Sequence, residues 1–286
     1  MCFRTGPFSV RLTSDVRGFG ATWQSCYSPM ELLPDDMVCH LRISVMRERG
    51  VRRWLGPQAV FRLEGIQPFE PYPLSQAFPM FEWGLNWCIA MSSHYHLLLH
   101  SAVLEKDGKA VILPAQPGSG KTTLCAGLVG RGWRLLSDEF GIVRHSDGQL
   151  LPLPRAAPLK NESIPLLAES APQLSFGPRF DRTRKGDVVH LFPPRESLER
   201  QLESATPRWI VFPRFQRGAA LELIPQPPIV ALTRLVGNSF NYRVTGVSGF
   251  RSMSRLIRST RSFQLLNGDL AAAVDAVEQL LAEDVL

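Results

Sequence analysis

Residues 115–122, with the sequence AQPGSGKT, constrain the fold of this chain more than any other segment. They match the phosphate-loop pattern G-x-x-x-x-G-K-[ST], except that Ala115 stands at the first position. Gly118 and Gly120 allow the backbone to curl, so that successive N–H groups point at phosphate oxygens. Ala115 is a mild departure, because it only requires a backbone φ that is not positive at that position.

The elements predicted around the octet place it in an α/β fold. An apolar strand over 110–113 precedes it, and a helix from Lys121 to about residue 131 follows it. The positive end of that helix favours a bound anion. An ordinary glycine-rich turn between a strand and a helix is the alternative interpretation.

Most of the nucleotide-binding residues that we expect come from the octet. Lys121 is predicted to reach the β- and γ-phosphates, and the Thr122 hydroxyl is predicted to bind Mg²⁺. ATP and Mg²⁺ are therefore the expected cofactors. The predicted contacts are Gln116, Pro117, Gly118, Ser119, Gly120, Lys121, Thr122 and Thr123.

Two adjacent carboxylates, Asp138 and Glu139, follow a strand predicted over 134–137. Asp138 comes 17 residues after Lys121, which leaves room for one short helix and one strand. If this strand runs parallel to the one before the loop, the carboxylates lie where the phosphates bind. One would then accept the proton of an acceptor hydroxyl while the other binds Mg²⁺. The alternative is a solvent-exposed cap.

Three histidines lie at or near a strand predicted over 95–104. Their even numbers place His94, His96 and His100 on one face of a straight strand. We reject a zinc site, because no Cys or acidic residue at a suitable spacing completes it. His100 is nearest to the loop and is predicted to act on the acidic pair or on phosphate, whereas His94 and His96 are interpreted as structural.

The chain is predicted to divide near residue 85. Residues 1–85 indicate a small α+β segment with a short helix starting at Met30, a strand over 60–65 and then a connection containing Pro68, Pro71, Pro73 and Pro79. A helix predicted over about 82–90 crosses this boundary. Residues 86–286 contain the loop and end with a helix from Asp269 to about residue 282.

Composition excludes several classes of protein. The net charge is +6, but no run of like charge exceeds three residues, so we expect no nucleic-acid binding. No apolar run is long enough for a membrane span, and the first residues do not form a secretory signal. Five cysteines at irregular spacings, without a Cys-x-x-Cys pair, indicate reduced thiols and a cytoplasmic protein.

The run from His100 through the loop to Asp138 and Glu139 resembles the bacterial HPr kinase/phosphorylase family. The likeness is closer to the group called HprK-related kinase A, and it covers nearly the whole chain. It lies in the segments 83–87, 117–121, 159–161 and 212–214.

This resemblance implies a phosphate-loop kinase core of the HPr kinase/PEP carboxykinase type, a mixed sheet with hairpins flanked by helices. It implies that Asp138 is the general base and that His100 supports it. Glu139 matches an Asp of that family, so its metal-binding role rests on a longer side chain. The family's second signature is not visible, and Arg155 and Lys160 stand in its place as candidates to neutralise phosphate charge.

We therefore expect a kinase that transfers the γ-phosphoryl group to a serine-type hydroxyl of a protein, peptide or small molecule. A nucleotide-binding interaction module and an ATPase are the alternatives. The strand over 209–212 is followed by Pro213 and Arg214 rather than by Asp, which disfavours the ATPase. The basic segment 183–187 is either a loop that closes over the site or a solvated loop. HPr kinases are hexameric, so a homo-oligomer is possible by resemblance.

Overall fold

A computed structural model describes residues 1–50, 56–116, 118–160 and 163–283. The chain is a mixed α/β protein in which mixed sheets are flanked by helices. The sheets have six, eight and three strands.

The first sheet is built by the N-terminal part of the chain. Its strand order is β3-β1-β2-β4-β5-β6, and β2 and β4 are parallel while the other pairs are antiparallel. Helices α1 (Phe19–Tyr27) and α2 (Ala77–Ser92) pack against it. The strands are β1 (Cys2–Thr5), β2 (Phe8–Ser14), β3 (Leu32–Leu33), β4 (Leu41–Arg47), β5 (Gln58–Leu63) and β6 (Tyr72–Pro73).

Two predictions for this region are wrong. The helix expected from Met30 is the short strand β3, because Leu33 precedes Pro34 and a residue before proline favours extended backbone. Pro79 lies in the first turn of α2 rather than in a connection, since a proline is tolerated there without losing a helical hydrogen bond. The strand expected over 60–65 is confirmed as β5, two residues earlier.

The central sheet has the order β11-β10-β7-β8-β15-β17-β16, and β9 also pairs with β7. Strands β8, β15 and β17 are parallel to one another, and the remaining pairs are antiparallel. The strands are β7 (His96–Lys106), β8 (Lys109–Pro114), β9 (Arg134–Ser137), β10 (Phe140–Arg144), β11 (Leu150–Leu151), β15 (Thr206–Phe215), β16 (Glu222–Pro225) and β17 (Arg261–Asn267).

Two helices cover each face of this sheet. Helices α3 (Lys121–Gly130) and α8 (Leu270–Glu283) bury one set of strand side chains, and α6 (Pro228–Gly237) and α7 (Tyr242–Ser259) bury the other. The side chains alternate between the two cores, as the pleat requires: Val111 packs toward α3 and Ile112 toward α6 and α7.

Strands β7 and β8 are joined by a tight hairpin turn at Asp107 and Gly108. Asp107 and Gly108 have φ angles of 55° and 77°, and two successive positive values produce the tight turn that matches the twist of paired strands. This turn fixes the register of β8 and therefore the point at which the chain leaves the sheet and enters the octet.

The third sheet is small, with the order β12-β14-β13 and antiparallel pairing. It consists of β12 (Ala157–Lys160), β13 (Phe176–Thr183) and β14 (Gly186–Leu191), accompanied by α4 (Ser163–Ser170) and α5 (Arg195–Glu199). The segment 183–187 forms the turn between β13 and β14, where the Thr183 hydroxyl donates to the Gly186 carbonyl at 2.6 Å.

The boundary predicted at residue 85 lies inside α2. Buried side chains of α2 share one hydrophobic core with Leu98 and Phe140 of the central sheet, so the packing continues from the first sheet into the second. All five cysteines are free and buried. Within the described ranges, no helix is both long and apolar enough to cross a membrane.

Candidate functional site

The acidic pair lies between two short strands, β9 and β10, that pair with successive parts of β7. Strands β9 and β10 both pair with β7, Ser137 opposite Val103 and Phe140 opposite His100. Asp138 and Glu139 stand between these two pairings, outside regular strand structure. Strand β9 runs in the same direction as β8, with β7 between them, so both end at the same edge of the sheet.

The phosphate loop leaves β8 at that same edge. Gly118 and Gly120 have φ angles of 83° and 86°, which a side chain would strain, and Ala115 does not have a positive φ. A Cβ on Gly120 would also meet the Phe215 Cβ at 3.0 Å. The Phe215 N–H donates to the Ser119 carbonyl at 3.0 Å, which ties the loop to the end of β15.

Helix α3 presents an uncapped N-terminus to this loop. It begins at Lys121, and its N-cap Gly120 has no side chain to satisfy the first backbone N–H groups. The partial positive charge of such an end is available to a ligand. This arrangement fits an anion held by backbone amides.

Lys121, Thr122 and Asp138 are brought together in one contact network. The Lys121 ammonium donates to the Asp138 main-chain carbonyl, and its Nζ lies 3.6 Å from Asp138 Oδ1. The Thr122 hydroxyl donates to Asp138 Oδ2 at 3.1 Å. The structure therefore places the first helical turn after the loop directly against the carboxylate.

The Asp138 carboxylate is almost entirely buried, with 4% of its side chain exposed. Burial raises its pKa; Lys121 lowers it, and the neighbouring Glu139 raises it. The net shift is upward from the ordinary value of an aspartate. Oδ1 is buried and has no hydrogen-bond partner among the described residues.

His100 lies beside Glu139. Its Nε2 is 3.5 Å from Glu139 Oε1. Burial lowers the His100 pKa and Lys121 lowers it as well, while Glu139 raises it; the net shift is downward. The His100 N–H donates to the Asn238 carbonyl, and the Asn238 side-chain amide donates to the His100 carbonyl, both at 2.8 Å. The ring of Phe240 lies 5.4 Å from the imidazole, so His100 is held from the side of the α6–α7 connection.

These groups open into one cavity of about 690 Å³. Its walls carry three lysine ammonium groups, Lys121, Lys160 and Lys185, against two carboxylates. Every predicted site residue that the structure describes lines it, except Arg155. The lining residues are Trp83, Asn86, Trp87, Ala90, Met91, His100, Ala115, Gln116, Gly118, Ser119, Gly120, Lys121, Thr122, Thr123, Asp138, Glu139, Phe140, Pro158, Lys160, Ser163, Lys185 and Phe240.

Arg155 lies elsewhere, and its predicted phosphate contact is therefore a misassignment. Its guanidinium is buried and donates to Glu82 Oε2 at 2.5 Å and to the Tyr27 hydroxyl at 3.2 Å. Burial lowers the Arg155 pKa, but the Glu82 carboxylate raises it, and the net shift is upward. Pro117 and Asn161 lie outside the described residues.

Two parts of the cavity wall are not among the predicted site residues, although a loop closing over the site is one interpretation of the segment 183–187. One is a stripe along α2, where residues 83, 86, 87, 90 and 91 follow the helical spacing of three and four and face the cavity. The other is Lys185 at the β13–β14 turn, whose Nζ lies 4.7 Å from the centre of the Trp83 ring. Desolvation lowers the Lys185 pKa, and the nearby Lys160 lowers it further.

The sequence contained a signal for the α2 stripe, because its residues recur at helical spacing. Residues 83, 86 and 87 of the stripe also lie in the segment 83–87, which carries part of the family resemblance. For Lys185, the only signal in the sequence was the basic composition of the segment 183–187. His94 and His96 do not line the cavity. Across the described part of the chain, no group of three or more His, Cys, Asp or Glu side chains is placed to hold a metal ion.

No protein-family model and no curated protein matches this chain.

Proposed function

We propose that the protein is an Mg²⁺-ATP-dependent kinase that phosphorylates a serine-type hydroxyl. One observation carries the proposal: a buried carboxylate, Asp138, contacts both Lys121 and Thr122 at the start of the helix that follows a phosphate loop. A phosphate loop alone indicates nucleotide binding. An acid with a raised pKa beside it adds a group that can accept a proton.

The residues around the loop fit a triphosphate. The backbone at Gly118 and Gly120, the uncapped end of α3 and three lysines supply donors and positive charge. The buried Ser119 hydroxyl has no hydrogen-bond partner within the described ranges, so it is a further donor for phosphate. Gln116 and Thr123 also line the cavity.

Thr122, Asp138 and Glu139 would hold Mg²⁺. The ion commonly uses one or two carboxylates together with phosphate oxygens and water, so these three side chains are a sufficient protein contribution. The nucleotide supplies the phosphoryl group, and the metal supplies charge neutralisation. Glu139 also contacts His100, whose position fits a role in orienting this carboxylate.

Asp138 would act as the general base. Its raised pKa brings it nearer to neutrality, where a base accepts protons most effectively. Oδ2 is held by Thr122, which leaves Oδ1 to take the proton of the acceptor hydroxyl as the acceptor oxygen bonds to the γ-phosphorus, the bond from that phosphorus to the bridging oxygen breaks and ADP leaves. Lys121 keeps the carboxylate oriented until the acceptor enters.

The HPr kinase/PEP carboxykinase type of core is part of this proposal. It is supported by the hairpin before the loop, by the mixed central sheet and by the acidic pair after the loop. The ATPase alternative is less well supported. Strand β15, the parallel neighbour of β8, has no Asp or Glu over its ten residues, whereas ATPases often place an acid at the end of such a strand.

Asp138→Asn tests the proposal. We expect the variant to bind ATP with unchanged affinity in calorimetry and to transfer phosphate from γ-labelled ATP to serine-containing acceptors about 10²–10⁴ times more slowly. Lys121→Ala serves as the contrasting variant and loses nucleotide binding. Unchanged transfer by Asp138→Asn would refute the general base. Nucleotide binding without transfer to any acceptor would support the interaction module instead.

A further inference from the structure

One stretch of the chain carries its whole net charge. Residues 223–268 contain six arginines and no Asp, Glu or Lys, while basic and acidic residues balance over the rest of the sequence. Helix α7 holds four of these arginines. The stretch therefore holds no acidic side chain of its own to neutralise its arginines, whereas the charges balance over the remainder of the chain.

The cationic helix also exposes apolar side chains. Val244, Val247 and Phe250 are 66%, 67% and 55% exposed. We call these three, together with the exposed Arg251 and Arg258, the α7 face. Beside Phe250 lies an open depression of about 540 Å³, lined by Phe250, Arg251, Ser254, Arg255, Arg258 and Ser259.

Two arginines of the α7 face, Arg251 and Arg258, make no polar contact with the described part of the chain. In the part of the chain that the structure describes, neither Arg251 nor Arg258 takes part in an ion pair or a side-chain hydrogen bond. Arg255 differs, because its guanidinium donates to the His145 carbonyl at 3.1 Å. Arg251 and Arg258 are therefore free to pair with a partner's carboxylates.

The α7 face is continuous with the candidate active site. Helix α7 begins two residues after Phe240, which lines the phosphate-loop cavity and packs 5.0 Å from Phe140. Its 18 residues form two helical segments that meet at a kink at Gly246, and laid end to end they would extend at most about 27 Å. An extended peptide of about eight residues covers that length. A polypeptide bound to the α7 face would thus reach the cavity through a segment of about eight extended residues.

We infer that the α7 face docks an acidic polypeptide, and that this polypeptide carries the acceptor hydroxyl. The inference rests on the proposed function. Carboxylates pair with Arg251 and Arg258, and apolar side chains of the same segment cover Val247 and Phe250. The depression favours a polypeptide over a lipid surface, because side chains protruding from a segment enter it whereas a flat array of head groups leaves it unfilled.

Three labelled peptides of equal length test this inference with the full-length protein. Each carries one serine followed by a repeat of leucine with glutamate, glutamine or lysine. We expect the glutamate peptide to bind at least about tenfold more tightly than the other two in fluorescence anisotropy, and added salt to reduce the difference. It is also expected to be the preferred acceptor of labelled phosphate.

Arg251→Glu/Arg258→Glu is the decisive variant. Both side chains are exposed, so folding should be retained, and Arg251→Gln/Arg258→Gln provides a milder second pair. We expect the preference for the glutamate peptide to disappear while ATP binding is unchanged. The matched control, Arg17→Glu/Arg49→Glu, changes the net charge equally at two exposed arginines of the N-terminal part and should keep the preference.

The outcomes separate this inference from the proposed function. Equal binding and equal phosphorylation of the three peptides would support the kinase and overturn the docking face. A charge-dependent affinity that survives in Arg251→Glu/Arg258→Glu would also overturn it, as would tight binding of phosphatidylserine vesicles or an oligonucleotide without binding of the glutamate peptide. Preferential binding of the glutamate peptide without any transfer would support the docking face and refute the kinase.

Discussion

Two of the buried contacts between an acid and a base, Glu82–Arg155 and Asp138–Lys121, differ in how the carboxylate is satisfied. Glu82 accepts from Tyr27 at 2.8 Å and from Arg155 at 2.5 Å, so both of its oxygens are bonded. Asp138 accepts from Thr122 through one oxygen, whereas its other oxygen is 3.6 Å from the Lys121 ammonium, beyond hydrogen-bond distance. The first pair is enclosed by aromatic rings, and the second faces a cavity.

Because of this difference, we interpret the first contact as a structural ion pair and the second as part of the candidate ligand site. Glu82 on α2 and Arg155 after β11 join the first sheet to the central one, and both carboxylate oxygens of Glu82 are bonded there, although Arg155 Nη1 has no partner among the described residues. Asp138 keeps an unbonded buried oxygen, which costs stability unless a ligand or proton occupies it. Buried polar groups left in this state are therefore candidates for chemistry.

Arg155→Met is expected to produce the largest change, a loss of about 3–5 kcal/mol in the free energy of unfolding, because it leaves the Glu82 charge buried without its partner. Urea unfolding followed by circular dichroism measures this loss. Arg155→Met/Glu82→Leu removes both charges and should recover most of it. ATP affinity should be unchanged in both variants, and a specific loss of ATP binding in a folded Arg155→Met protein would restore the phosphate role that the structure denies to Arg155.

His190 gives the region around Arg155 a pH dependence. Its ring lies between Phe78 and Phe180, and neither ring nitrogen has a partner within the described residues. Burial lowers the His190 pKa to about 3, and the Arg155 charge acts in the same direction.

Because the unfolded chain protonates this histidine near its usual pKa of about 6.5, stability is lost as the pH falls below that value, reaching about 2 kcal/mol near pH 5. His190→Leu should abolish this part of the acid sensitivity in unfolding curves. His94→Gln, at an exposed histidine, is the control and should retain it.

Lys185 should affect the other region, and by less. Lys185→Gln removes one of three ammonium groups from the cavity wall, so we expect the dissociation constant for ATP to rise about threefold to tenfold in calorimetry. Arg184→Gln is the matched control, because the neighbouring Arg184 guanidinium stacks 4.2 Å from the centre of the Tyr72 ring and does not line the cavity. Equal effects of the two variants would show that net charge rather than position matters.

The contrast between the two pairs also shows what the sequence could predict. The loop, the helix from Lys121 and the acids 17 residues later are local, so pattern and spacing were enough to place them together. Arg155 and Lys160 looked equivalent in sequence. Arg155 forms an ion pair with Glu82, 73 residues away in the chain, and no local sequence pattern indicates such a pairing.

The remaining errors also come from long-range or context-dependent effects. Lys185 reaches the cavity only because the β13–β14 turn packs against α2, a contact made between residues about a hundred positions apart. Helix α1 was not predicted, and its N-terminus has a glycine cap with no side-chain hydrogen bond, so the usual sequence signal for a helix start is missing.

Asp138→Asn is expected to change stability least, in contrast to its effect on transfer. The folded-state pKa of Asp138 lies above its unfolded value, so its contribution to stability is present at acidic pH and is lost as the pH rises through the folded pKa. Ionisation of the buried carboxylate therefore costs stability. The amide avoids that cost but leaves Lys121 without its counter-charge, and the free energy of unfolding should stay within about 1 kcal/mol of the wild type. Urea unfolding at neutral pH checks this, and a loss as large as that of Arg155→Met would show that Asp138 supports the fold as Glu82 does.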